Sequence, residues 1–160
     1  MYKACIFDLD GTLTDTLESL TYSVNETLEE LKLKKITQEQ CRSFVGNGAR
    51  CLDRERALVA GGDLERSQME PAMEIYGRIF GENCTYHVTP YDGIAEMLEQ
   101  LKKSGIKLAV LSNKPHLQAV DVVKEFFGED VFSYVQGTDR QCTEKAGSER
   151  SADDCRKAWM

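Results

Sequence analysis

At 160 residues with a formal net charge of −7, the chain is sized for one domain, or for a small core carrying an insertion. The acidic balance argues against a nucleic-acid footprint, and no apolar run reaches transmembrane length. No basic segment followed by a signal-type apolar stretch opens the chain, so a cytoplasmic protein without membrane contact is the expectation.

Ala4 to Leu9 is an apolar run broken only by Asp8, the pattern of a strand buried on both faces of a parallel sheet. Asp8 and Asp10 fall at its C-terminal end, where open α/β sheets bind their ligands. Gly11 lets the backbone turn sharply, and Thr12 can hydrogen-bond a carboxylate or the turn. Two carboxylates at a strand end are costly to bury unless they are paired or bind a metal. A hard cation such as Mg²⁺ takes one or two carboxylates, with water and substrate phosphate completing its shell. An isolated D-x-D reads as an acidic turn. The apolar strand before it and Gly-Thr-Leu after it favour the catalytic reading.

Asp8-Leu-Asp-Gly-Thr12 resembles the first motif, D-x-D-G-T, of the haloacid dehalogenase superfamily. The resemblance implies that Asp8 is a nucleophile forming an aspartyl-phosphate, that Asp10 is the general acid/base, and that both belong to a Mg²⁺ site. The transport ATPases of the superfamily carry Thr where Asp10 stands, so a phosphatase or phosphomutase is favoured.

Beyond the motif, Leu17, Leu20, Val24, Leu28 and Leu31 recur at helical spacing, which predicts a helix over Asp15 to Leu33, capped by Asp15 or Thr16. Thr37-Gln-Glu-Gln40 has capping-box spacing and opens a second helix that ends near Gly46. Val45 to Gly48 reads as a turn, and Ala49 to Ala60 as a poorly amphipathic helix. Met69, Met73, Tyr76 and Phe80 mark a further helix, with Pro71 at its start or at a kink. A helical insertion at this place resembles the superfamily's cap, and Gly46-Asn-Gly48 resembles a loop of caps in phosphoglycolate phosphatase-like members. An all-α subdomain with no part in chemistry is the plainer alternative.

Tyr91-Asp-Gly93 leads into a helix through Ile94, Met97, Leu98 and Leu101, stopped at Gly105. Ile106 to Leu111 is a buried-strand run that ends in Ser112-Asn-Lys-Pro115. This resembles the superfamily's second motif and implies that the Ser112 hydroxyl binds the transferring phosphoryl oxygens, while Asn113 orients the nucleophile loop. Pro115 suits the first position of the next helix, which carries Leu117, Val120, Val123 and Phe127 before Gly128. Val131 to Val135 is a third strand, ending at Gly137. The implied fold class is α/β: a Rossmann-like parallel sheet, incomplete, from residues 1–14 and 90–140, with a helical cap over 15–89. Up to about Arg140 the chain follows the phosphoglycolate phosphatase and β-phosphoglucomutase branch.

From Gln141 the pattern changes to an aperiodic tail over 141–160. The third motif's Lys and the later acidic pair are absent: Lys145 precedes Ala-Gly rather than Pro, and Asp153-Asp154 follows no apolar strand. Lys145-Ala-Gly-Ser148 is encodable as AAA GCC GGA TCC, which shifted by one base reads Lys-Pro-Asp-Pro, so a frame change near Arg140 to Cys142 is one expectation. Without later strands, Ala4 to Leu9 becomes an uncovered sheet edge that invites self-association. The six cysteines contain no C-x-x-C pair and imply neither a disulfide framework nor zinc; His87 and His116 read as structural or exposed. The functional expectation is Mg²⁺-dependent hydrolysis of a small phosphorylated metabolite. A catalytically inactive fragment that binds phosphate or a partner chain, and a phosphomutase, are the alternatives.

Overall fold

The computed structural model describes residues 2–45 and 69–138. The expected turn over 46–48, the helix Ala49 to Ala60 and the tail 141–160 lie outside them. In chain order the elements are β1 (Ala4–Phe7), β2 (Thr14–Asp15), α1 (Leu17–Glu30), α2 (Gln38–Val45), α3 (Met69–Asn83), β3 (Thr89–Pro90), α4 (Ile94–Lys103), β4 (Lys107–Pro115), α5 (His116–Phe127) and β5 (Tyr134–Thr138).

The main sheet is three-stranded and parallel in the order β1-β4-β5, with Ala4 opposite Lys107 and Val110 opposite Val135. Parallel neighbours need long crossovers, and helices supply them: α4 precedes β4, and α5 joins β4 to β5. Leu108 and Val110 of β4, Val122 of α5 and Leu98 of α4 are buried in one core with Leu9, Leu13, Val24, Leu28 and Tyr76. The central strand β4 is the well-covered one. β1 is not buried on both faces as its apolar run predicts: it pairs with β4 only among the described residues, and Ile6 is 51% exposed.

α1 packs against both α3 and α2: Leu20, Val24 and Leu28 of α1 share one buried core with Met73, Tyr76 and Phe80 of α3 and Cys41 of α2. The capping box forms as its spacing predicts: Gln40 N–H donates to Thr37 Oγ1 at 3.2 Å, and Thr37 N–H donates to Gln40 Oε1 at 2.8 Å. At the head of α1, Asp15 Oδ1 accepts from Leu17 N–H at 3.1 Å. The sequence gives no hint of a second sheet. Yet β2 and β3 pair antiparallel, Thr14 with Pro90 and Asp15 with Thr89, at the two ends of the helical segment.

Two boundaries move. The third strand of the main sheet is Tyr134–Thr138 rather than Val131 to Val135, because Phe132 is an anchor and not a strand residue: it is buried edge-on against Phe7 and Phe127. The buried face of α5 is Ala119, Val122 and Val123, whereas Leu117 is 71% exposed.

Candidate active site

The chain leaves β1 into a loop wound around one carbonyl. Leu9 O accepts from the N–H groups of Thr12, Leu13 and Thr14 at 3.3, 3.0 and 3.1 Å, and from the Thr14 hydroxyl at 3.3 Å. Gly11 closes the turn at φ 77°, in the left-handed region that glycine adopts without strain, and donates its N–H to Thr14 O at 2.8 Å. Leu9 and Leu13 are fully buried beneath the loop. The carboxylates on either side of Leu9 are thus presented by a backbone with little freedom.

Asp8 is exposed, and its Oδ1 accepts from Leu9 N–H at 2.7 Å. Asp10 is mostly covered, with its side chain 15% exposed, and its Oδ1 lies 3.1 Å from Lys114 Nζ. Thr12 is exposed at the crown of the loop. β1 and β4 are parallel neighbours, so their C-terminal ends lie on one side of the sheet, and β4 runs on through Ser112-Asn-Lys-Pro115. Successive strand residues alternate: Ser112 and Lys114 are buried while Asn113 is exposed. Ser112 Oγ accepts the Lys114 N–H at 3.2 Å, which leaves the hydroxyl hydrogen available to a ligand oxygen. Asn113 contributes its backbone carbonyl to the Thr138 hydroxyl at 3.3 Å.

Lys114 is the residue the sequence reading passed over. Its side chain is 1% exposed, paired with Asp10, and its ammonium sits 4.7 Å from the centre of the Phe80 ring on α3. Period-two alternation from Ser112 was the available signal: it puts Lys114 on the same side of the strand. Nearby, burial pushes the Cys84 thiol up, and the Lys114 ammonium partly offsets that rise. His87 is exposed against Glu18 at 2.7 Å, and His116 Nδ1 accepts from Gly137 N–H at 3.3 Å; neither joins the aspartate loop by a hydrogen bond.

Among the described residues no group of three or more His, Cys, Asp or Glu side chains could hold a metal. Asp8, with a solvent-facing carboxylate, and Asp10, with its second oxygen, form an oxygen-donor pair. That pair suits a cation which keeps most of its water and shares substrate oxygens, as Mg²⁺ does. A groove of about 510 Å³ between α4 and α5, lined by Leu98, Lys102, Phe126 and Phe127 among others, contains none of these residues.

Residues 5–149 match the family described as haloacid dehalogenase-like hydrolase. The phosphoglycolate phosphatase of Haemophilus influenzae (strain 86-028NP) is 35% identical over 141 residues, spanning 85% of this chain and 62% of its own length. That of Psychrobacter arcticus is 35% identical over 146 residues, 88% of this chain and 63% of its own. The chain therefore spans 62–63% of the length of these relatives. In three dimensions it is similar to a predicted phosphoglycolate phosphatase of Haemophilus somnus 129pt, with a TM-score of 0.73 and 29% identity, covering 85% of this chain and 62% of that one. A phosphoglycolate phosphatase-like protein of Lactobacillus delbrueckii subsp. bulgaricus gives a TM-score of 0.78 at 25% identity, covering 99% of this chain and 73% of that one.

Proposed function

The chain belongs to the haloacid dehalogenase-like hydrolases, and from that premise we propose that it is a Mg²⁺-dependent phosphomonoester hydrolase, phosphoglycolate phosphatase-like, working through an aspartyl-phosphate on Asp8. An Asp8 oxygen attacks the phosphorus of a small phosphorylated metabolite. The bond from phosphorus to the leaving oxygen breaks, and the Asp10 carboxyl gives that oxygen its proton. Water then attacks the phosphorus while Asp10 takes its proton; the acyl–phosphate bond breaks, releasing inorganic phosphate and restoring both carboxyls. The Ser112 hydroxyl donates to a phosphoryl oxygen, Thr12 offers a second donor at the loop crown, and Asn113 steadies the loop from the neighbouring strand end. Asp8 and Asp10 would hold Mg²⁺, which would supply neutralisation of the phosphoryl charge.

The observation that carries this reading is an exposed carboxylate, Asp8, two residues from a carboxyl held by a buried ammonium, at the C-terminal end of a parallel strand. The helical segment, entered through β2 and left through β3, serves as a cap. Two paired two-residue strands are a suitable hinge for a lid. A cytoplasmic setting belongs to the same reading; no helix among the described residues is long and apolar enough to cross a membrane. So does pairing of the β1 edge with a second copy, since Ile6 is half exposed there.

Turnover of an aryl phosphate with and without Mg²⁺, in wild type and Asp8→Asn, tests the proposal. Activity that needs both the metal and Asp8 is the expected result, and wild-type turnover by Asp8→Asn would sink it. Product analysis with a sugar phosphate separates hydrolysis from a phosphomutase. A folded protein inert toward every ester would favour the binding-only alternative.

A further inference from the structure

Lys114 makes contacts that belong to three separate parts of the chain. Its backbone is the last stretch of β4, its Nζ lies 3.1 Å from Asp10 Oδ1 in the loop after β1, and the same ammonium stands 4.7 Å from the Phe80 ring centre in α3. Asp10 and Lys114 are 104 positions apart, so the pairing is purely tertiary. The Phe80 ring is 2% exposed and stacked nearly parallel on Tyr76, with an interplanar angle of 7°, so it is a fixed seat. An ammonium over an aromatic face is attracted to the ring's negative quadrupole, more strongly where water is absent.

A lysine with three donors and almost no solvent must spend them on its few neighbours. The ring takes one side of the ammonium and Asp10 Oδ1 takes another. We propose that Lys114 is a positioning residue for Asp10, and that Phe80 seats Lys114, so the acid/base carboxyl is held in place by the packing of α3. The inference rests on the phosphohydrolase reading and deepens it: the helical segment acts on the chemistry through one side chain of the core, besides any closure over the site.

A purely structural ion pair and a positioning one differ in what they do to leaving groups. General acid help matters for an alkyl phosphate, whose alkoxide leaves poorly, and little for p-nitrophenyl phosphate, whose phenolate leaves unaided. Lys114→Met keeps the stem and removes the charge. It is expected to lower turnover of the alkyl ester about 10-fold or more beyond its effect on the aryl ester, within the range general acid–base help spans. Equal losses on both esters overturn the proposal. Phe80→Leu, which keeps an apolar side chain on α3, should repeat the selective loss in smaller degree; wild-type rates on both esters would remove Phe80 as the seat.

A readout without turnover separates this inference from the function it rests on. In aspartate-labelled protein, the ¹³C carboxyl resonance missing from Asp10→Asn is that of Asp10. It should move in Lys114→Met relative to wild type, and an unmoved resonance overturns the inference whatever the rates. Wild type that turns over neither ester while the resonance moves counts against the phosphohydrolase reading alone.

Discussion

Asp10 and Lys114 are unequally exposed, 15% against 1%, and that asymmetry sets what each substitution does. Removing the Asp10 charge strands an ammonium with almost no water, whereas Asp8 is exposed and its carboxylate accepts from Leu9 N–H. Breaking a buried pair from one side costs about 3–5 kcal/mol, and an amide oxygen that still accepts recovers part of it. Asp10→Asn is therefore expected to lose about 1–3 kcal/mol in urea unfolding, and Asp8→Asn to stay within about 0.5 kcal/mol of wild type. Equal stabilities for the two variants would mean that Lys114 does not depend on Asp10. The sequence shows both aspartates but not this pairing: the partner of Asp10 lies 104 positions away, and no local pattern joins them. The thiols carry a second prediction at this scale. Burial pushes Cys84 and Cys41 up, so both stay protonated to higher pH when folded than when unfolded. Their contribution to stability is complete below the unfolded value, about 8.5, and is lost as pH rises through the folded one. Iodoacetamide labelling followed by peptide mass spectrometry should show rates at these two sites still rising beyond about pH 9, where in urea they level off.

Caps and turns were legible wherever the interacting groups lie within a few residues. The Thr37–Gln40 box is the clearest case, and Thr37→Ala should cost about 1 kcal/mol in thermal or urea unfolding. β2 and β3 escaped detection because two residues apiece carry no period; they exist only through each other. The face of α5 was misjudged for a related reason. Leu117 fits the helical spacing, but the sheet beneath sets the rotation and buries Ala119, Val122 and Val123. Phe132 drew the strand reading forward by being apolar, though it is anchored edge-on between two other rings before the ladder begins. Gly137 on β5 shows how closely these elements fit at the site. A Cβ there would stand 2.5 Å from Lys114 O and 2.6 Å from His116 Cα, both backbone atoms that have no way to swing aside. Gly137→Ala should cost about 1–3 kcal/mol by overpacking and, by moving the Lys114 backbone, lower turnover as well. Wild-type stability in that variant would show that β5 can retreat from the β4–α5 turn.

At the scale of the molecule, the α/β class and the parallel sheet were readable because apolar runs and helical spacing alternate along the chain, and parallel strands need helical crossovers. The exposure of β1 was readable only in part. Its composition is that of an interior strand, yet Ile6 is 51% exposed, and β4 is its sole partner among the described residues. An apolar strand with one unpaired row of backbone groups is a template for pairing with another chain. The net charge of −7 opposes association at long range, so the attraction should strengthen as salt screens that repulsion. Light scattering across a concentration series is expected to show a mass that grows with concentration and grows further in added salt. Ile6→Lys places a charge on the edge, the device by which natural sheets discourage such pairing, and should return the protein toward the monomer without disturbing β4, whose Leu108 and Val110 remain buried. A wild type that stays monomeric at every concentration and salt level would mean that the edge is covered, and the self-pairing proposal would fall with it.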